Sequence, residues 1–136
     1  MPPRDFKPGS PEDWLARAKS NLISATKPPR DPDFFLEDAC FNAQQSAEKA
    51  IKAVLTGKKI KFSHTHDLMH LLNLLFKHGC TIPDTILQAG RLTEYAVESR
   101  YPPSIEEVNE EDYHEALKIA EQVYSWAEGM IKKNEK

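Results

Sequence analysis

The feature that most constrains the fold is the stretch Asp38-Ala-Cys-Phe-Asn-Ala-Gln-Gln-Ser-Ala-Glu-Lys-Ala-Ile-Lys-Ala-Val-Leu55. Wound at about 100° per residue, Phe35, Ala39, Ala43, Ala47, Ala50 and Val54 fall on one face, and Leu36, Ile51 and Leu55 widen it. Such a stripe predicts a core helix, running to Thr56 and stopped by Gly57 as a C-terminal cap. The opposite arc carries Asp38, Asn42, Gln45, Glu48, Lys49 and Lys52 and reads as the solvated side. Phe41 stands in the middle of that arc, an apolar residue with no place in the stripe.

The rest of the chain repeats the helical pattern. Ser10-Pro11-Glu12-Asp13 reads as an N-cap, a proline at the first helical position and acids in the first turn. Trp14, Leu15, Ala18, Leu22 and Ala25 continue it as a stripe to about Lys27, where Pro28-Pro29-Arg30-Asp31-Pro32 ends the helix. Asp31 or Asp33 is the candidate cap of the second helix. A third helix is predicted from about Thr65, with Leu68, Leu71, Leu72 and Leu75 inward and Gly79 as its stop. A fourth follows Ile82-Pro83-Asp84, with Ile86, Ala89, Gly90, Thr93, Ala96 and Val97 on one side and Pro102-Pro103 as its end. Asn109 or Ser104 caps the last, whose stripe is Tyr113, Ala116, Leu117, Ala120, Val123, Tyr124, Ala127 and Ile131. Its acids lead and its lysines trail, as the helix dipole favours. No alternating strand pattern and no internal repeat occurs, so an all-α, up-and-down bundle of four to five helices is expected. Residues 1–9 are expected to be a flexible lead-in and residues 10–133 a single domain, which 136 residues suffice to build.

The net charge of −3 excludes a global positive field for nucleic acid or anionic membranes. Two cysteines on separate helices, no leader-like opening and no long apolar run point to a reduced, cytoplasmic protein without a membrane span. Lys58, Lys59 and Lys61 form the one basic cluster, with Ile60 and Phe62 interleaved; a solvated loop is the plain reading, a phosphate-contacting edge the functional one. Arg100 lies in line with the apolar stripe of the fourth helix, where a guanidinium needs a partner: a carbonyl, a glutamate or a phosphate. His66 and His70 share a face opposite the leucines, which argues for a polar surface rather than a metal site; His66 at a helix start is a candidate polar contact. Walker, Rossmann and nucleophile-elbow motifs are absent, and no cofactor is expected.

Four pieces in this order, Phe41 to Leu55, Thr65-His-Asp-Leu68, Tyr95-Ala-Val-Glu-Ser-Arg-Tyr-Pro102 and Ala116-Leu-Lys-Ile-Ala-Glu121, resemble the HEPN domain family. The similarity spans about Trp14 to Ile131. It implies a four- to five-helix bundle that often dimerises, binds nucleotides, and in small prokaryotic members accompanies a minimal nucleotidyltransferase. It also implies kinship with metal-independent ribonucleases, among them toxins of toxin–antitoxin pairs. Those nucleases carry an arginine followed after four to six residues by a histidine. Here Arg100 is followed by Tyr-Pro-Pro-Ser-Ile-Glu-Glu107, and the histidine is missing, so the proton-moving half of in-line cleavage is gone from the motif. The expectation is therefore a non-enzymatic homodimer binding a nucleotide, a nucleic acid or a nucleotidyltransferase. Its contacts would be Arg100, Tyr101, Tyr95, Lys49, Gln45 and His66, with Phe41 and Glu48 at the interface. The alternative is a ribonuclease with a displaced base, such as His66.

Overall fold

The computed structural model describes residues 6–27, 31–96 and 108–134, and among these it contains helices and no strand. Helix α1 spans Pro11–Thr26, α2 Leu36–Gly57, α3 Leu68–Lys77, α4 Asp84–Leu87 and α5 Glu110–Asn134; a 3₁₀ segment, Gln88–Tyr95, continues α4. The expected all-α bundle is what forms. Residues 97–107 lie outside the described part, and with them Val97, Arg100, Tyr101 and the cap candidate Ser104.

Helix α1 begins as its sequence dictates. The Ser10 hydroxyl accepts from the Asp13 amide at 3.2 Å, and Asp13 in turn accepts from the Gly9 amide at 2.8 Å and from Arg17 Nε at 2.9 Å. At α5 the cap is Asn109: its side chain accepts from the Asp112 amide at 2.8 Å, and Asp112 accepts from the Asn109 amide at 3.2 Å. This reciprocal pair satisfies two orphan donors of the first turn. The expected caps of α2 are not caps. Asp31 accepts from the Asp33 amide at 2.8 Å in a turn ahead of the helix, Phe35 occupies the N-cap without a side-chain bond, and its ring is 63% exposed rather than inward. A capping side chain must sit at the N-cap itself to reach the second or third amide, and neither aspartate does.

Two helices end in the same double hydrogen bond. After α3, Cys80 donates to the Leu75 carbonyl and Gly79 to that of Phe76, both at 3.0 Å, with Gly79 at φ +88°. After α2, Ile60 donates to Leu55 at 2.9 Å and Lys59 to Thr56 at 3.0 Å. There the left-handed residue is Lys59, φ +58°, and not Gly57, which is the last helical residue. Both are Schellman terminations.

The core lies where α1, α2 and α5 meet, with α3 and the α4 segment closing one side. Leu68, Leu71, Leu72 and Leu75 are all buried as their spacing predicts, each contributing about 1.5–3 kcal/mol relative to exposure. Most of the α5 stripe is likewise buried, and the Tyr113 hydroxyl donates to the Ala25 carbonyl at 2.6 Å, pinning the start of α5 to the end of α1. The fourth element departs from expectation. Ile86, Ala89 and Ala96 of its expected stripe are buried but Gly90 and Thr93 are not; Leu92 and Tyr95 replace them, following Ala89 by threes, because a 3₁₀ turn eclipses every third side chain. Gly90 instead admits Met69, whose Cγ would lie 2.7 Å from an added Cβ.

A Cβ at Gly79 would meet no atom within 4 Å, so Gly79→Ala carries only the left-handed backbone penalty. It should lower stability by about 1 kcal/mol in urea titration, with an unchanged m-value.

Candidate functional site

Helix α2 is buried almost all round, including the arc expected to be wet. Glu48 is 3% exposed and Lys52 4%, and Gln44 and Ser46 are fully enclosed. The sign was present in the sequence: Ala39, Ala43, Ser46, Ala47, Ala50 and Ala53 distribute small side chains around the helix, so neighbours can approach on more than one side. Ser46 donates to the Ala18 carbonyl at 2.8 Å, which seats α1 against α2.

Glu48 and Lys52 stand at the centre of one buried polar cluster. Lys52 Nζ donates to Glu48 Oε2 at 2.9 Å, one helical turn away. Glu48 Oε1 accepts from Gln44 Nε2 at 3.0 Å and lies 2.8 Å from His66 Nδ1. Gln45 extends the chain, donating to Gln44 Oε1 at 2.7 Å. Burial alone raises the Glu48 pKa, but the hydrogen bonds from Lys52, His66 and Gln44 together outweigh it and hold the carboxyl below its ordinary value. An ionised carboxylate only accepts, so the imidazole carries a proton on Nδ1 and Nε2 is turned away from Glu48.

Lys52 is enclosed by aromatic rings as well. Its ammonium lies 5.6 Å from the centre of Trp14 and 5.8 Å from that of Phe62, and the two rings meet edge-on at 6.3 Å. Trp14 comes from α1, and Phe62 and His66 from the segment between α2 and α3. A second polar contact runs beside the first: Lys49 Nζ donates to Asn21 Oδ1 at 2.8 Å, and Asn21 donates to Asn42 Oδ1 at 3.0 Å. Burial pushes the Lys49 ammonium below its ordinary range, Arg17 and Lys52 add to the push, and Glu48 opposes it.

Of the residues singled out by sequence, His66, Lys49, Gln45 and Glu48 are brought into this neighbourhood. His66 precedes α3, capped by Asp67, rather than sharing a helical face with His70; its side chain is 31% exposed and leans toward α2. Glu48, expected on a wet interface, is interior. Tyr95 is not beside them. It is buried at the end of the 3₁₀ segment near Cys40, Glu94 and Asp112, in a cleft of about 240 Å³ that Arg91 and Glu115 also line. Cys40 is about 12 Å along α2 from Glu48. Phe41 is half-buried; Arg100 and Tyr101 fall outside the described residues. Sequence reading missed Gln44, Lys52, Trp14 and Phe62. Among the described residues no three His, Cys, Asp or Glu side chains are placed to hold a metal ion, and no helix is long and apolar enough to cross a membrane.

The family model of the HEPN domain matches residues 11–130. The chain belongs to the HEPN domain family. An archaeal HEPN homologue of solved structure, ST0689, is 32% identical to this HEPN chain, with 93% of this chain and 99% of that one covered and a TM-score of 0.70. The crystal structure of TT1696 from Thermus thermophilus is 26% identical over 90% of this chain and 98% of that one, with a TM-score of 0.76. No curated protein matches.

Removing one member of the buried pair strands the other. Glu48→Gln should cost about 3–5 kcal/mol in chemical denaturation, and replacing the pair by Glu48→Leu with Lys52→Met should regain most of it. The Glu48 contribution to stability is complete above its unfolded pKa, near 4.5, and is lost as pH falls through the lower folded value. Acid titration of the folded state should therefore be less steep below that pH in Glu48→Gln than in wild type.

Proposed function

We propose that this HEPN protein binds a nucleotide or nucleic acid without cleaving it, as a homodimer that partners a nucleotidyltransferase in a toxin–antitoxin-type pair. The observation that carries the reading is the half-exposed His66 ring fixed by the buried Glu48 carboxylate. A ring held this way loses little freedom on binding, and in its protonated form it donates to a phosphate oxygen. Lys49 and Gln45 on the adjoining face of α2 add a cation and an amide. Arg100 supplies a planar fork for phosphate and Tyr101 a ring for stacking, both from sequence. Tyr95, which the sequence offered for stacking or orienting a ligand, is enclosed in the bundle and away from His66. The interface assigned to Phe41 rests on its being an apolar side chain on the outer arc of α2, half-buried within one chain.

The missing histidine after Arg100 favours binding over cleavage. A second reading, a metal-independent ribonuclease with a displaced base, draws on the same Glu48–His66 pair: a neutral ring protonated on Nδ1 has its basic nitrogen at Nε2.

Isothermal titration with ATP, GTP and short RNA should give heat with at least one, reduced tenfold or more by Arg100→Ala and by His66→Ala; silence with all three leaves only a scaffold. Incubation with total RNA free of metal should leave it intact, whereas cleavage abolished by His66→Ala would select the second reading. Light scattering should show a dimer mass for wild type and a monomer for Phe41→Glu.

A further inference from the structure

The segment that leaves α2 concentrates positive charge in a chain that is acidic overall. From Lys49 to His66 there is no Asp or Glu, yet five lysines fall there. Lys52 is interior and Lys49 sits within α2 beside Asn21; beyond the helix stand Lys58, Lys59 and Lys61, all exposed. Among the described residues none of these three is hydrogen-bonded or ion-paired through its side chain.

The segment is anchored at alternate residues. Ile60 is buried, and its amide is bound to Leu55 at 2.9 Å. Phe62 packs edge-on to Trp14 over the Lys52 ammonium. His66 ends the segment on Glu48. From Ile60 onward, 60 and 62 are inward and 61 and 63 outward and exposed, the alternation of an extended chain. The lysine stems start from a backbone that does not need to be ordered by a ligand.

Lys59 is the sharper observation. It holds the left-handed position of a termination that α3 makes with Gly79, by the same two hydrogen bonds. Glycine would satisfy that geometry without strain, so a lysine there is disfavoured by the fold, and backbone strain of this kind marks positions kept for another reason.

We propose that Lys58, Lys59 and Lys61 form a fixed track for the backbone phosphates of a single-stranded nucleic acid leading to the His66 site. The track rests on the binding reading above and gives it a ligand class. A short row of cations suits a linear polyanion, and lysines, as point charges without a planar fork, contact phosphates without selecting bases. A membrane surface is the poorer fit, because Ile60 and Phe62 are turned inward and no apolar side chain of the segment is left to enter the lipid.

The test is fluorescence anisotropy of a labelled oligouridylate over a range of salt concentrations. Lys58→Ala/Lys59→Ala/Lys61→Ala should flatten the slope of log affinity against log salt by about 2, from about 0.7 per lost phosphate contact, and weaken low-salt binding tenfold or more. Lys59→Gly should weaken binding and raise the thermal midpoint together; a lowered midpoint would remove the strain argument. An unchanged slope in the triple variant, or no oligouridylate binding by wild type at low salt, overturns the track. Binding that falls with His66→Ala but not with the triple variant keeps the site and overturns the track, and the converse keeps the track and removes the site. Tighter, lysine-dependent binding to phosphatidylserine–phosphatidylcholine vesicles would assign the segment to membranes and overturn it as well.

Discussion

The ionised carboxylate of Glu48, buried near the middle of α2, is the constraint on which the surrounding structure depends. Charge in such a place is tolerable only with its full complement of donors. Those donors come from Gln44 and Lys52 on the same helix and from His66 on the segment before α3. Lys52 in turn needs its aromatic enclosure, which draws in Trp14 from α1 and Phe62 from the same segment. One charge thus sets the path of about ten residues that have no helix of their own.

This arrangement explains how a connection of lysines and histidines keeps a defined shape on the outside of the bundle. Its inward residues satisfy the interior, and its outward ones are left for solvent or a ligand. The same division appears at the helix ends. Gly79 closes α3 in the conformation glycine favours, while α2 closes with the same hydrogen bonds around Lys59. The family relation says that the bundle is a HEPN fold; the Glu48 cluster says which part of its surface is held rigid.

Much of the bundle is legible in the sequence because burial in a helix leaves a period. The leucines of α3, the stripe of α5 and the caps at Ser10, Asn109 and Gly79 each depend on neighbours within four residues, and each is found where local spacing puts it. The fourth element escapes that reading because its winding tightens to three residues per turn, which puts Leu92 in the core, and composition alone does not report that change. The outer arc of α2 escapes it for a different reason. A helical wheel gives the direction of a side chain and not what stands opposite it, so Glu48 and Lys52 look like any exposed i, i+4 pair.

By itself, then, the sequence determined the helices, their inner faces and the family, since these follow from local spacing and from motifs in order. Only the tertiary structure decided that Glu48 and Lys52 are interior, that His66 leans on α2 rather than joining His70, and that Tyr95 lies apart from them. Those outcomes depend on contacts between residues far apart in the chain, such as Trp14 with Lys52, 38 positions on, and such contacts leave no periodic trace along the chain. The hydrogen bonds that make a buried charge acceptable are long-range, and they exist only once the helices have met.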